Sequence, residues 1–145
     1  MGLLWDPGAP FGMSDFRKLS VWRKAHALAL NVHRTTGVIR GSGAHSLRSA
    51  LSRASLSIST DIVEGSSQTT RKHFGKFVRL ALNATAELEY QLIVARDTKK
   101  MSAISYDSLS SQTLEVKKML HGLLGYLMKP TGEKGAEKGR PGPTY

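Results

Sequence analysis

The amino-acid sequence predicts an all-α protein, an antiparallel up-and-down four-helix bundle with a flexible leader before it and a disordered tail after it. Apolar residues recur at three- and four-residue spacing in four separate segments, which is the period of amphipathic helices. Short polar connections between these segments favour antiparallel neighbours. The 145 residues suffice for one hydrophobic core. We expect a leader over residues 1–15, a bundle over 16–128 and a tail over 129–145.

The first predicted helix begins near Ser20, a candidate N-cap residue, and ends near Gly37. Its apolar residues fall on one stripe at helical spacing. They are Val21, Trp22, Ala25, Leu28, Ala29 and Val32.

The second predicted helix follows a turn at residues 40–43 and is ended by Gly65 and the polar residues 66–70. Its apolar stripe consists of Leu47, Leu51, Ala54, Ile58 and Ile62. Residues 55–59 also alternate between polar and apolar side chains, which is typical of a half-buried strand. We favour the helix because the longer window fits a helical period better.

The third predicted helix runs from Thr70 to Thr98, with Thr69 or Thr70 as its cap, and would be roughly 44 Å long. The fourth is predicted to start near Asp107 as its cap and to stop before Pro130. The remaining residues are rich in Gly, Pro and charge and almost lack apolar side chains, which predicts disorder.

Some apolar residues of the first and third helices lie beside the main stripes. They are Leu30, Leu80, Leu82 and Ile93. Such a surplus indicates a second buried face and hence an oligomer, although scattered exposed leucines are common on monomers.

The net charge of +10 indicates attraction to nucleic acid or to an acidic partner. Most of the excess lies in the predicted bundle, where residues 15–128 hold 17 Lys and Arg against 8 Asp and Glu. The densest group opens the third helix, and a second group lies on the first helix; a solvated polar face is the alternative interpretation of both. The candidate nucleic-acid-binding residues are Arg71, Lys72, Lys76 and Arg79, with Arg23 and Lys24.

Charged residues also recur near the predicted core. Arg53 and Glu64 lie eleven residues apart, close to three helical turns, so they share a face; Glu87 and Glu89 flank Leu88 on the next helix. These groups could form an acid/base or metal site, or an ion-pair network that fixes the register of the helices. We favour the ion-pair network because no nucleophile or convergent histidine accompanies them.

Other chemistry has no positive signal in the sequence. The chain contains no cysteine, which excludes disulfides and thiolate chemistry. Glu87 and Glu89 lack the histidine that a di-metal bundle requires, while His26 and His33 have no carboxylate nearby in sequence. We therefore predict no metal, no cofactor and no catalytic residues.

Four motifs resemble a known family. They are Phe-x-x-Leu-x-Val-Trp-x-x-Ala from Phe16 to Ala25; Arg53-Ala54 through Ser57; Asp61-Ile62-x-Glu64-Gly65; and Glu87-Leu88-Glu89-x-Gln91-Leu92. Together they resemble the small four-helix-bundle proteins encoded within intervening sequences of bacterial 23S ribosomal RNA, over residues 16–128. That family usually has Asn at the position of Asp61, Ala at Val63 and Gly-Ser at Asn83-Ala84.

The resemblance implies a homopentamer without established catalytic activity. It also implies similarity in fold to the accessory proteins of diversity-generating retroelements, which are basic pentamers that bind a reverse transcriptase and nucleic acid. We therefore predict an oligomeric, non-enzymatic scaffold for RNA or DNA. The alternative is a structural adaptor that docks an acidic protein partner, for example a reverse transcriptase. A hydrolase using Glu64 or Glu87 ranks below both.

The cellular location is predicted from what the sequence lacks. Its longest apolar run falls short of the ~20 residues that a bilayer crossing needs, and the first five residues lack the basic region of a signal peptide. We predict a cytoplasmic protein without membrane contact.

Overall fold

The computed structural model describes residues 15–130. A single 3₁₀ turn, Phe16–Lys18, leads into four α-helices. These are α1 (Ser20–Thr36), α2 (Ala44–Ser66), α3 (Arg71–Asp97) and α4 (Ala103–Leu127). No strand occurs between residues 15 and 130, so the all-α prediction is confirmed. The predicted leader and tail lie outside the described residues, apart from Asp15, Lys129 and Pro130.

The four helices pack as an antiparallel up-and-down bundle. Each helix packs against the next one in sequence, and α1 also packs against α4, which closes the bundle. The diagonal pairs, α1 with α3 and α2 with α4, make no close backbone contact. Consequently α1 and α3 begin at the same end of the bundle, whereas α2 and α4 begin at the opposite end.

The apolar stripes of all four helices meet in one core. Its largest fully buried side chains include Leu28, Leu51, Phe74, Leu88 and Leu120. Burial of this apolar surface is the main stabilising contribution to the fold. No described helix is both long enough and apolar enough to cross a membrane.

Small hydroxyl residues let the helices approach one another without leaving polar atoms unsatisfied. Ser55 and Ser59 are buried on α2, and their Oγ atoms donate to the carbonyls of Ser52 and Leu56 at 3.0 and 3.1 Å. Thr85 and Thr113 donate in the same way within α3 and α4. These bonds offset the cost of burying a hydroxyl. They also explain the strand-like alternation over residues 55–59, which lie within α2.

The N-cap prediction is confirmed for α3 and wrong for α1 and α4. Thr70 caps α3 as predicted, because its Oγ1 accepts from the His73 N–H at 3.1 Å. The Ser20 prediction is wrong: Leu19 occupies the cap position and offers no side-chain bond. The Asp107 prediction is also wrong, because α4 begins one turn earlier, where Ser102 Oγ accepts from the Ser105 N–H at 3.1 Å.

The loop between α1 and α2 uses the glycines that the sequence predicts for a turn. Gly41 and Gly43 have φ values of 100° and 77°, which L side chains rarely adopt. The predicted end of the second helix at Gly65 and the polar residues after it is also confirmed, since α2 ends at Ser66. Gly65 lets α3 approach, because a Cβ atom built there would lie 2.8 Å from Phe74 Cδ1.

Candidate nucleic-acid interface

Three cations form one face at the start of α3, which we call the α3 basic face: Lys72, Lys76 and Arg79. All three are exposed, and their four- and three-residue spacing aligns them along the helix. The first turn of α3 contains no acidic residue. Among residues 15–130, no carboxylate forms an ion pair with any of the three. Their charges therefore remain available to an anion from outside the chain.

Arg71, which precedes this face, has a different environment. It is half-buried, its guanidinium lies 4.4 Å from the centroid of the Tyr126 ring, and it donates to the Tyr126 hydroxyl at 2.5 Å. This contact joins the start of α3 to the end of α4. Arg71 and Lys72 also line an open groove of about 640 Å³ together with Lys129. Arg71 thus positions the basic end of α3 besides contributing charge.

The predicted basic residues of α1 do not join the α3 basic face. Lys24 forms an ion pair with Glu115 of α4 at 3.2 Å, and Arg23 Nε donates to the backbone carbonyl of Arg17 at 2.9 Å. Because α1 and α3 are diagonal in the bundle, the two groups occupy different sides. Of the six candidate binding residues, those of α3 alone form a contiguous basic surface.

The predicted ion-pair network between the second and third helices does not form among the residues that the structure describes. Arg53, Glu64 and Glu87 are all exposed, and none forms an ion pair with a described residue. Glu89 does form one, with Lys117 of α4 at 3.2 Å. The shared face of Arg53 and Glu64 is the outer face of α2, where water solvates the charges and no internal partner is required.

Asp61 is the one carboxylate of this motif in a partly apolar environment. It is half-buried on α2, and no described residue forms an ion pair or hydrogen bond with its side chain. Burial, and then repulsion from Glu64, raises the pKa of Asp61 to about 6. At neutral pH the folded protein therefore holds an ionised Asp61 at a cost in stability relative to the unfolded chain.

The histidines noted in the sequence do not converge. His26 stacks on Trp22, with ring centroids 4.9 Å apart and planes 8° from parallel, so it is a packing residue. His33 lies toward the end of α1. Within the described part of the chain, no group of three or more His, Cys, Asp or Glu residues could hold a metal ion.

A second basic surface was not predicted from the sequence. A groove of about 610 Å³ lies between the end of α1 and the first half of α2, and we call it the α1–α2 groove. Its polar lining includes His33, His45, Arg48, Ser49, Ser52 and Arg53. His33 lies twenty positions before Arg53, so only the loop that joins the helices brings them together. The basic and hydroxyl residues at helical spacing over positions 45–53 are the sequence pattern that could have indicated this surface.

Comparison with known proteins agrees with this architecture. A crystal structure of a protein of unknown function from the S23 ribosomal protein family of Bacteroides thetaiotaomicron is similar, with a TM-score of 0.66 and 20% sequence identity. The similarity covers 72% of this chain and 97% of that one. At this identity it shows the fold alone. No curated protein matches the chain significantly in sequence. The model of the 23S rRNA-intervening sequence proteins matches residues 17–122, and the chain therefore belongs to the 23S rRNA-intervening sequence protein family.

Proposed function

We propose that this protein is a cytoplasmic, non-enzymatic scaffold that binds RNA or DNA through the phosphate backbone and acts as a homo-oligomer. The observation that carries the proposal is the α3 basic face, where three exposed cations follow one another without an acidic partner among the described residues. The net charge of +10 per chain supports the same conclusion.

The spacing of the α3 basic face fits a nucleic-acid backbone. From Lys72 to Arg79 the helix rises by about 10.5 Å. One strand of B-DNA rises about 3.4 Å per phosphate along the duplex axis, so a helix that lies along this axis spans about three phosphate steps between Lys72 and Arg79. Contacts of this kind position a strand without reading its bases. We expect binding with little sequence preference and strong dependence on salt.

Self-association is proposed from exposed apolar surface on α3. Leu80 is 49% exposed and Tyr90 62%, and Ile93 is also exposed. Large apolar side chains along one helix support a contact between copies. Assembly would also multiply the charge presented to a polymer, to roughly +50 for the five copies that the family resemblance implies.

The first experiment measures binding to a fluorescent 20-nucleotide RNA and the corresponding DNA duplex between 50 and 300 mM salt. It uses the nuclease-treated full-length protein, with its mass determined by light scattering after size exclusion. The target variant is Lys72→Gln/Lys76→Gln/Arg79→Gln. The control is Lys18→Gln/Lys99→Gln/Lys118→Gln, which removes three exposed charges from three separate places.

We expect the target variant to reduce the slope of log K against log salt by about 2 to 3, since each lost phosphate contact contributes about 0.7 to 0.9. The control should change the slope by less than about 1. Equal losses in the two variants, or no binding at 50 mM salt, would contradict nucleic-acid binding at this face. Binding of polyglutamate without binding of nucleic acid would instead support the acidic-partner adaptor. A monomeric mass would refute the proposed assembly.

A further inference from the structure

The α1–α2 groove combines cations, hydroxyls and an apolar wall in one concave surface. Its volume of about 610 Å³ lies in the usual range for small-ligand sites. No carboxylate lines it. It lies at the opposite end of the bundle from the α3 basic face, because it is formed by the end of α1 and the start of α2.

The two arginines of the groove differ in how they are held. Arg48 is half-buried, and its Nη1 atom donates to the Ile39 carbonyl at 2.5 Å, which fixes the guanidinium and leaves its other N–H groups for a ligand. Arg53 is exposed and forms no ion pair or hydrogen bond with a described residue. One anchored and one free guanidinium suit a phosphate group, which arginine binds through paired hydrogen bonds.

The rest of the lining adds selectivity for a phosphorylated ligand. Ser49 and Ser52 are half-buried and lie one helical turn apart on α2, where their hydroxyls can donate to phosphate oxygens. Leu56 lines the same groove and is 53% exposed, so it offers an apolar surface to a base. The negative end of the α1 dipole and the positive end of the α2 dipole lie side by side and largely cancel. The side chains therefore supply the positive charge.

From this arrangement we propose that the α1–α2 groove is a nucleotide-binding site, in which Arg48 and Arg53 hold the phosphate and Leu56 contacts the base. The site is separate from the α3 basic face. It takes one nucleotide unit, whereas the α3 basic face contacts a backbone. Neither site depends on the other, so the two proposals stand or fall separately.

The test is calorimetric titration of the nuclease-treated full-length protein with adenosine monophosphate, adenosine and inorganic phosphate. Adenosine monophosphate should bind at least about tenfold more tightly than either of the other two, because only it engages both the arginines and the apolar wall. Arg53→Ala and Ser49→Asp should each weaken that binding by about tenfold or more. Arg34→Ala removes an exposed arginine that lies outside the groove lining, and it should leave the affinity within about twofold.

Circular dichroism of each variant separates loss of the site from loss of the fold, and Arg53 and Ser49 are both outside the apolar core. Equal affinity for adenosine monophosphate and adenosine would overturn the role of the arginines. Equal affinity for adenosine monophosphate and inorganic phosphate would overturn the assignment to a nucleotide. A loss of affinity in Arg34→Ala as large as that in Arg53→Ala would also overturn the assignment of the site. If Lys72→Gln/Lys76→Gln/Arg79→Gln weakens long RNA but not adenosine monophosphate, both proposals are supported independently.

Discussion

Replacing Asp61 with asparagine should stabilise the protein at neutral pH but not at pH 4. The pKa of Asp61 is raised from 3.8 to about 6, by burial first and by Glu64 second. A raised pKa means that the folded state holds its proton more tightly than the unfolded chain does. The associated stability is complete below pH 3.8 and is lost as the pH rises toward 6. An asparagine side chain at this position would keep the shape of the protonated carboxyl without this loss.

The size of the effect follows from the shift in pKa. A shift of about two units corresponds to a ceiling of about 3 kcal/mol at neutral pH, at 1.36 kcal/mol per unit. The carboxyl is only half-buried, so solvent screening reduces the expected gain to about 1 to 1.5 kcal/mol. For a domain of this size, that gain would raise the melting temperature by about 3 to 6 °C.

The assay is urea unfolding followed by circular dichroism at pH 4 and pH 7.5, at one protein concentration. Asp61→Asn should raise the free energy of unfolding at pH 7.5. At pH 4 that free energy should stay within about 0.5 kcal/mol of the value for the unsubstituted protein. Asp107→Asn, at an exposed position of α4, is the control and should have little effect at pH 7.5. An equal gain for Asp61→Asn at both pH values, or destabilisation at pH 7.5, would refute the argument.

Three further predictions concern stability and use the same unfolding assay. Gly65→Ala should cost about 1 to 3 kcal/mol, because its Cβ would lie 2.8 Å from Phe74 Cδ1; an unchanged midpoint would show that α3 can move away. Gly125→Ala, where no atom beyond the adjoining helix backbone lies within 4 Å of the new Cβ, should instead stabilise α4 by about 0.5 to 1 kcal/mol. Thr70→Ala should cost about 1 kcal/mol through loss of the cap, and a similar cost for Thr69→Ala would contradict the assigned cap.

The helices were predictable from sequence because each one buries a continuous stripe, and a stripe leaves a 3.6-residue period. Where a helix extends beyond its apolar stripe, the period no longer marks where the helix begins or ends. Ile104 lies in the first turn of α4 and is 84% exposed, so the apolar period begins only at Leu109. The pattern therefore predicts Asp107 as the cap, although Ser102 forms the capping bond. At α1, the preceding 3₁₀ turn leaves Leu19 extended and buried at the cap position.

The candidate sites also differ in whether neighbouring residues in the sequence are enough to predict them. The α3 basic face was predictable because helical spacing alone places Lys72, Lys76 and Arg79 together. The α1–α2 groove was not, because it depends on how the loop at residues 37–43 returns the chain against α1. The raised pKa of Asp61 was also beyond the sequence pattern, since desolvation depends on the neighbours that the fold supplies.

The relative placement of the two basic surfaces sets a length scale for the proposed nucleic-acid binding. Gly65 lies against Phe74, and α2 and α3 are antiparallel, so Arg79 lies about level with residue 60 of α2 and about 10 Å along the bundle from Arg53. That axial distance equals about three base steps at 3.4 Å each. A single nucleotide therefore reaches one proposed surface only, whereas a strand must extend at least about three steps beyond the α3 basic face to reach both. If one strand occupies both, its second contact becomes intramolecular, and affinity must rise more steeply with length than added charge alone would require.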